Sequence, residues 1–408
     1  MDSQVSRLLT EVDVEALLDV VRSRVGMDLA WVSSFTDQTQ VFEVLAGNSA
    51  AFGLDAGDHL DLDGSFCTRV VDGRLPNIID DAASHAVTSA LSVTGALGIG
   101  SYIGVPIRGA DEAPTGMLCC ISRTSAPHLV EADVRTLKVF ASVLAELMRQ
   151  ADTLDGVRRE RDRLTAEIHA DISAGRVRMV FQPIVDCAAG RPVGVEALCR
   201  IENSSRRPDE WFEMASSVGM RARAELAAIA AAIGHLDFLP EPLYMSLNAS
   251  PETIADPDLL ELMDCVDAQR IVMEITEHHR IDEYPVFLTQ LDQLRSRGIR
   301  IAVDDVGAGF SSFAHVLELD PDIIKLDRSI VAGIDSDLAR QAITRAVVDL
   351  GRHRDATVVA EGVENVDELR AISLLGIHVA QGYFFRRPGP LGDILDVARA
   401  DVDLVGDL

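Results

Sequence analysis

Apolar and polar positions follow different patterns in the two parts of the chain. In residues 1–150 they predict a helix, a pair of strands, then a short helix, a turn and a strand within residues 64–81, a second pair of strands and a longer helix. These elements are predicted at Val14–Val25, Leu29–Phe35, Val41–Ala46, Gly100–Ile107, Gly116–Ser122 and from Glu131 onward. Strands with helices before and after them favour one antiparallel sheet flanked by helices, an α+β unit.

The helical pattern that begins near Glu131 continues into a predicted helical linker over residues 151–172. Its apolar positions recur at steps of three and four residues, at Leu137, Phe140, Ala141, Leu144, Leu147, Met148, Ala151 and Leu154. Such a stripe can pack on the sheet of its own chain or form a seam with a second helix. The first half suits the sheet, whereas the more polar second half favours a signalling helix on a two-fold axis. We therefore expect a homodimer.

Residues 173–408 alternate apolar, strand-like runs with helical patterns. Eight runs are present, at Met179–Val185, Val193–Leu198, Leu243–Leu247, Ile271–Ile275, Ile299–Val303, Ile323–Leu326, Thr357–Ala360 and Ile377–Ala380. Eight strands that mostly alternate with helices predict an α/β domain with a TIM-like (β/α)8 barrel. Two domains and a linker also agree with a length of 408 residues, at about 150 residues per domain.

Polar side chains gather where these runs end, which is the end of a barrel where active sites lie. They are Gln182, Asp186, Glu196, Arg200, Asn248, Glu274, Glu277, Asp304, Asp305, Lys325, Glu361, Glu364 and Gln381. A single acidic residue at a strand end is usually a helix cap or solvated, and Asp304-Asp305 alone could be an acidic turn. Five or more carboxylates from separate strands would repel one another unless cations lay among them.

Oxygen ligands of this kind favour hard divalent cations, Mg²⁺ or Mn²⁺. The two adjacent aspartates could hold two ions about 4 Å apart, the arrangement used in two-metal hydrolysis of phosphate esters. Lys325 should stay protonated beside these charges and can hold the attacking water, and Glu361 is either a further ligand or the proton acceptor. Arg200 and Gln182 suit a phosphate and a base edge of a substrate.

The composition narrows the classes of partner. The formal net charge is −28, from 65 acidic and 37 basic residues. Such a surface repels nucleic-acid polymers and anionic membranes, so neither is an expected partner. The first residues carry no signal-peptide pattern and no apolar run approaches the ~20 residues of a membrane span, so we expect a cytoplasmic protein. The six cysteines show no paired zinc spacing, and we interpret them as reduced and buried.

Three segments of the first part resemble a GAF domain: SFCTRVVDGRLPNIIDDAAS, SYIGVPI and GMLCCIS. GAF domains are sensory modules that bind small ligands, haem or bilins, or only dimerise, and the resemblance leaves the ligand unknown. Cys67 and His85 could ligate haem or attach a chromophore, but we interpret them as a buried thiol and a polar loop histidine. Cys119 and Cys120 lie in a strand and point to opposite faces, so a vicinal disulfide is not expected.

In the second part, eight segments in order resemble the pattern of EAL-domain phosphodiesterases. They are FQPIVD, EALCR, SLNAS, MEITE, DDVGAGFSS, DIIKLDRS, AEGVE and QGYFFRRP. The resemblance implies hydrolysis of cyclic di-GMP to linear pGpG on a (β/α)8 barrel with two divalent metal ions per site. It divides the chain into a GAF-like domain at 1–150, a linker at 151–172 and an EAL domain at 173–408.

The resemblance also implies a role for each matching residue. The metal ligands would be Glu196, Asn248, Glu274, Asp304 and Asp305, with Asp304 bridging the two ions. The catalytic residues would be Lys325, which orients the water, Glu361, which is also a possible second-ion ligand, and Glu277, which anchors a glycine loop that links dimerisation to activity. The residues that contact or border the substrate would be Gln182, Leu198, Arg200, Glu364 and Gln381.

The match departs from the family in the glycine loop, where an aromatic residue, a Thr and a Tyr are replaced by Val306, Ala308 and Phe310. This should alter loop packing and regulation more than metal binding. The functions under consideration are an active phosphodiesterase regulated by the GAF domain, a catalytically silent cyclic di-GMP receptor, and another metal-dependent barrel enzyme such as an enolase-type lyase. The complete ligand set favours the first, and the paired aspartates argue against the third.

Overall fold

The computed structural model describes residues 14–36, 38–109, 111–275, 284–307 and 312–396. The chain divides into two compact units, Met1–Glu160 and Arg161–Leu408. Among the residues described, each helix is too short or too polar to span a lipid bilayer.

The first unit is built on one antiparallel sheet of six strands. The strands are β1 Leu29–Phe35, β2 Thr39–Gly47, β3 His59–Asp61, β4 Ile78–Ile79, β5 Ser101–Arg108 and β6 Pro114–Ser122. Their order across the sheet is β3-β2-β1-β6-β5-β4, and all neighbouring pairs are antiparallel. The predicted antiparallel sheet is therefore confirmed, and so are the short helix and strand predicted within residues 64–81; the short edge strand β3 is an addition.

Helices cover both faces of this sheet. They are α1 Val14–Val25, α2 Ser49–Phe52, α3 Phe66–Val71, α4 Ser92–Leu97 and α5 Glu131–Ser173. One face packs against α1 and the first part of α5, and the other carries a core with α3. Because successive side chains on a strand alternate between faces, Cys119 belongs to the second core and Cys120 to the first, as predicted.

Helix α5 contains 43 residues, and its apolar stripe is used differently along its length. Leu137 and Leu144 are buried against the sheet of the first unit, which confirms the expected role of the first half. Leu154 and Val157 are 67% and 65% exposed. Near its end, Ile168 is buried in a core of the second unit.

The second unit contains a closed barrel of eight strands. They are β7 Val177–Asp186, β8 Arg191–Ile201, β9 Tyr244–Ala249, β10 Ile271–Ile275, β11 Arg300–Val306, β12 Ile323–Leu326, β13 Thr357–Ala360 and β14 Val379–Ala380. The barrel closes through pairing of β14 with β7. The predicted TIM-like barrel is confirmed, with one difference: β7 is antiparallel to both of its neighbours.

The reversal of β7 changes which of its residues reach the barrel mouth. A hairpin that pairs Asp186 with Arg191 joins β7 to β8, in place of a crossover helix. Asp186 therefore lies at the end of the barrel where β8 begins, and its expected position near the other strand ends is wrong. Gln182 pairs with Glu196 on β8 and remains beside the other polar residues.

Helices of the second unit surround the barrel. They are α6 Pro208–Ser217, α7 Arg221–Ile233, α8 Pro251–Ile254, α9 Pro257–Met263, α10 Tyr284–Ser296, α11 Ser312–Leu319, α12 Arg328–Val331, α13 Leu338–His353, α14 Val366–Leu374 and α15 Leu391–Asp396. Outward-facing strand residues such as Met273, Val303 and Ile324 pack with these helices in one large apolar core.

The barrel interior is apolar at one end and polar at the other. The apolar end is a cluster of Ile184, Tyr244, Val272, Ala302, Ile323 and Val359. A Cβ at Gly194 would lie 2.7 Å from the ring of Tyr244, so only glycine leaves room for that ring. Two residues further along their strands, the same interior face carries Glu274, Asp304 and Lys325.

Candidate active site

Lys325 lies at the centre of the barrel mouth, and its side chain is only 2% exposed. Its Nζ is 2.7 Å from Glu361 Oε1, 2.8 Å from Glu274 Oε2, 3.3 Å from Asp304 Oδ1 and 3.5 Å from Glu196 Oε2. Four carboxylates thus surround one ammonium group. Burying such an excess of negative charge is unfavourable unless further positive charge enters the site.

Hydrogen bonds from neutral side chains orient two of these carboxylates. Ser246 on β9 donates to Glu274 Oε1. Asn248, two residues further along β9, donates through Nδ2 to Glu196 Oε1 at 3.1 Å. Gln381 donates through Nε2 to Glu196 Oε2 at 2.5 Å. Glu196 is therefore held from both sides, by β9 and by the residue that follows β14.

Gln182 and Gln381, both predicted substrate contacts, lie inside this network. Gln381 Nε2 also donates to Gln182 Oε1 at 2.9 Å, and Gln182 Nε2 donates to the Arg386 carbonyl at 3.0 Å. Both side chains are buried. Gln182 and Gln381 thus form a polar wall of the site. Gln381 Oε1 has no hydrogen-bond partner within the described part of the chain, so one acceptor of this wall lacks a donor.

The two adjacent aspartates reach the same place because of a bulge. Neighbouring residues on a regular strand point to opposite faces, yet carboxylate oxygens of Asp304, Asp305 and Glu361 lie within 4.8 Å of one another. The pairing of β11 with β12 shifts register between Val303 and Val306. Asp305 has a φ of 53°, in the left-handed region, which turns its side chain out of the normal alternation.

Asp304 Oδ1 indicates that the site is built to receive a cation. This oxygen is buried and makes no well-formed hydrogen bond among the described residues; its contact is the Lys325 ammonium at 3.3 Å, which three other carboxylates share. A buried carboxylate oxygen with so little compensation is unfavourable unless further positive charge lies beside it. Most of the side chains around Lys325 offer carboxylate or amide oxygens, the ligands that hard divalent cations prefer. The residues present therefore fit a divalent metal ion.

Crowding of like charge also shifts the pKa values in this cluster. Burial, opposed by Lys325 and reinforced by Glu196, raises the pKa of Glu274 to about 8. Burial and the charge of Asp304 raise the pKa of Glu361 well above its ordinary value. Burial alone would lower the pKa of Lys325, but the surrounding carboxylates outweigh it and raise this pKa well above its ordinary value. Lys325 therefore stays protonated at neutral pH.

Two predicted substrate residues line a cavity beside the cluster. Leu198 is half-buried and Arg200 is exposed, and Arg200 donates to the carbonyl of Cys199 at 2.7 Å. Together with Asn248 they line a cavity of about 470 Å³ that extends towards α6 and α7. A cavity of this size can accept part of a nucleotide-sized ligand.

The remaining predicted residues lie at the edge of the site or outside the described residues. Glu364 is exposed and forms an ion pair with Arg328 at 2.7 Å. The Arg328 side chain crosses Gly362, where a Cβ would lie 2.4 Å from Arg328 Cγ. Glu277 lies outside the described residues, and so do residues 308–311 of the glycine loop.

Ser246 and Arg328 are site residues that the sequence analysis missed. Ser246 could have been found, because it precedes Asn248 by two positions and therefore shares its face of β9. The pairing of Arg328 with Glu364 spans 36 positions and depends on the turn at Gly362, so no local pattern indicates it.

The eight-stranded barrel and the acidic residues at its mouth match those of a known class of proteins. A sequence model of the EAL domain matches residues 165–388, and one of the GAF domain matches residues 12–149. The chain belongs to the EAL domain family, and a GAF domain precedes its EAL domain.

Several relatives match the EAL part of the chain. An uncharacterized protein of Mycobacterium bovis is 30% identical over 246 residues, covering 56% of this chain and 80% of that protein. The probable cyclic di-GMP phosphodiesterase PdeI of Escherichia coli is 31% identical over 244 residues, covering 56% of this chain and 31% of that protein. A solved structure, the PaMucR phosphodiesterase in complex with c-di-GMP, matches with a TM-score of 0.52 at 26% identity, covering 57% of this chain and 100% of that chain.

Proposed function

We propose that the EAL domain hydrolyses cyclic di-GMP to linear pGpG with two divalent cations, Mg²⁺ or Mn²⁺, and that the GAF domain regulates this activity. The observation that carries the proposal is the convergence of Asp304, Asp305 and Glu361 oxygens within 4.8 Å. The name of PdeI and the c-di-GMP complex of PaMucR support the choice of substrate.

The metal ligands follow from the donors at the mouth. Glu196, Asn248, Glu274 and Asp304 would hold the first ion, and Asp305 and Glu361, with Asp304, would hold the second. The ions, when bound, lower the pKa of a water and stabilise negative charge on the attacking and leaving oxygens.

The chain's own residues position the reactants. Lys325, protonated and fixed by its carboxylate neighbours, holds the attacking water or a phosphate oxygen. Glu361 is the acceptor of the water's proton when it does not ligate a metal. Leu198 and Arg200 contact the substrate in the cavity beside Asn248, and Glu364 supports the edge of the site through Arg328.

Gln182 and Gln381 contact the substrate through the polar wall that they form next to Glu196. The acceptor Gln381 Oε1 is the atom of this wall that can take a hydrogen bond from a guanine N–H. Glu277, by anchoring the glycine loop, links dimerisation to activity. The exposed second half of α5, which carries Leu154 and Val157, is the surface that forms the homodimer.

One experiment separates the candidate functions. The full chain is incubated with cyclic di-GMP and Mg²⁺, and nucleotides are separated by chromatography while binding is measured by calorimetry. We expect pGpG to accumulate. Binding without pGpG would support the silent receptor, and neither binding nor product would contradict both. Sedimentation at micromolar concentration tests the homodimer, which a monomer would contradict.

A further inference from the structure

A second buried polar cluster lies in the first unit. Cys67 Sγ, in the first turn of α3, is 3.4 Å from Cys119 Sγ on β6, although the two residues are 52 positions apart. Both side chains are buried, and the Tyr102 hydroxyl lies 3.3 Å from Cys119 Sγ and 3.6 Å from Cys67 Sγ. A disulfide bond is ~2 Å long, so these thiols need only a small movement to form one.

A small cavity of about 20 Å³ adjoins Cys67 and is bordered by Trp31, Gln40 and Tyr102. Trp31 Nε1 and Gln40 Oε1 are buried without a hydrogen-bond partner within the described residues. Because unpaired buried polar atoms are costly, an unpaired donor and an unpaired acceptor on two residues that border one cavity favour the binding of a small polar molecule there.

The nitrogen of the Gln40 amide makes two contacts. Gln40 Nε2 donates to the Ser33 hydroxyl at 2.7 Å, and this hydroxyl lies 3.5 Å from the Met117 carbonyl, at the limit of a hydrogen bond. Gln40 Nε2 also donates to Cys67 Sγ at 3.2 Å. The carbonyl oxygen of Gln40 is then the atom left to accept a hydrogen bond from a molecule in the cavity.

The size and polarity of the cavity restrict the ligand. About 10–15 Å³ of this kind of volume holds one water, so the ligand is close to water in size. It must accept from the Trp31 indole and donate to Gln40. Water and hydrogen peroxide both meet these requirements, since their oxygens donate and accept, and the pair of thiols beside the cavity favours the peroxide, which they can reduce. Leu60, Val93 and Leu97 border the cavity and are half-buried, so its edge lies near the surface.

The two sulfur atoms differ in how readily they lose a proton. Burial alone would raise the pKa of the Cys67 thiol, but hydrogen bonds from Cys119, Tyr102 and Gln40 outweigh it and lower this pKa below its ordinary value. Burial, with the neighbouring Cys67, raises the pKa of Cys119 well above its ordinary value. Cys67 is therefore the better nucleophile of the pair.

We propose that this cavity binds hydrogen peroxide and that Cys67 and Cys119 reduce it, forming a disulfide within the first unit. The Cys67 sulfur attacks one peroxide oxygen as its thiol proton moves to the other: an S–O bond forms, the S–H and O–O bonds break, and the departing oxygen leaves as water. Cys119 then attacks the Cys67 sulfur: the S–S bond forms, the S–O bond breaks, and the second hydroxide leaves as water with the Cys119 proton. Two thiols lose two electrons, and one peroxide gains them.

The test uses the full chain, reduced and then treated with a small excess of hydrogen peroxide. Samples are quenched with catalase over time, alkylated, digested with trypsin without reduction, and analysed by mass spectrometry. We expect a cross-linked peptide containing Cys67 to appear at least about tenfold faster than oxidation of the exposed Cys265, which lacks this environment. A thiol reductant should reverse the cross-link.

Three variants assign the roles of the sulfur atoms. Trypsin leaves Cys119 and Cys120 in one peptide, 109–123, so Cys120→Ala, in the same strand but on the opposite face, is the matched control and should keep the cross-link. Cys67→Ala should leave Cys119 reduced. Cys119→Ala should stop the reaction at a sulfenic acid on Cys67 that dimedone traps.

Two further variants test the cavity. Trp31→Phe and Gln40→Leu should each slow cross-linking about tenfold, because each removes one hydrogen bond to the bound peroxide. Circular dichroism and thermal unfolding check that both variants fold. The proposal is overturned if Cys67 and Cys119 remain reduced while Cys265 oxidises, if the partner of Cys67 is Cys120, or if both cavity variants react at the rate of the unmodified protein.

Discussion

The barrel mouth and the cavity of the first unit are both buried polar clusters, but they differ in charge. At the mouth, four carboxylates and one lysine come from five strands or the residues that directly follow them. In the first unit the polar atoms belong to thiol, phenol, amide and indole groups. A cluster of like charges depends on cations from solution, whereas a neutral cluster needs only hydrogen-bond partners.

This difference separates what each region can do. The acidic mouth concentrates positive charge, which suits chemistry on a negatively charged phosphodiester. The neutral cavity is small, and the hydrogen bonds beside it lower the pKa of the Cys67 thiol. Substitutions at the mouth should therefore change the free energy of unfolding or the rate of pGpG formation strongly, and by an amount that depends on the metal ion. Substitutions in the cavity should change the free energy of unfolding only slightly, with or without metal.

The largest effect is expected for Lys325→Met, because four carboxylates then lose the one ammonium group that they share. In the presence of a chelator, the free energy of unfolding of the barrel should fall by about 3–5 kcal/mol. Saturating Mg²⁺ should reduce this loss, since the ions replace the missing charge. Urea denaturation measures it through Trp211 fluorescence in a Trp31→Phe background, as the chain has 2 tryptophans.

A matched control removes a cation from an exposed ion pair of the same barrel. Arg178 pairs with Glu202, and both side chains are at least 50% exposed. Arg178→Met should therefore cost less than about 1 kcal/mol. An equal loss for Lys325→Met with chelator and with Mg²⁺ would contradict the charge argument.

Asp305→Asn should lower the rate of pGpG formation by about 100- to 1,000-fold, a loss comparable to removal of one group that stabilises a transition state. The fold should be retained, because Asn also tolerates the left-handed backbone. The control is Asp355→Asn, an exposed position with a similar φ of 54°, which should keep full activity. Activity of the Asp305 variant near that of the unmodified protein would show that this carboxylate does not hold the second ion.

Replacing Mg²⁺ by Ca²⁺ should lower turnover by about tenfold or more, because the larger ion holds its ligands at longer distances and with looser geometry. Binding of cyclic di-GMP should persist. Turnover is measured by chromatography and binding by calorimetry in the same buffers. Full turnover in Ca²⁺ would oppose the two-ion account.

The smallest effect is expected for Trp31→Phe in the first unit. This change removes a buried N–H that has no hydrogen-bond partner among the described residues, and it keeps most of the ring that packs on Phe42. The free energy of unfolding should change by less than about 1 kcal/mol, with or without Mg²⁺. A larger decrease in the free energy of unfolding that depended on Mg²⁺ would contradict the proposed difference between the two regions.

Much of the barrel site could be predicted from strand periodicity. Alternate positions on a strand share a face. Because Val272 and Ala302 face the interior, Glu274 and Asp304 are predicted to face it as well, and this prediction needs no knowledge of long-range contacts. The order of these runs along the chain was then enough to predict that Lys325 and the acidic residues would meet at one end of a barrel.

Other features depended on contacts between distant parts of the chain. β7 runs antiparallel to both β8 and β14, which places Asp186 at the opposite end of the barrel from the other polar residues. The proximity of Cys67 to Cys119 depends on how α3 packs on β6, across 52 positions. The spacing of apolar residues along a helix or a strand does not indicate which distant residues come into contact.

The sequence by itself therefore determined the strands, their inward faces and the set of acidic residues, because these follow from local spacing and side-chain chemistry. Only the tertiary structure decided the reversal of β7, the bulge that turns Asp305 beside Asp304, and the pairing of two thiols in the first unit. The β7–β8 hairpin itself is local, but its place beside β14, the register of β11 against β12 and the approach of the two thiols depend on packing between separate elements, which the spacing of residues along one element does not report.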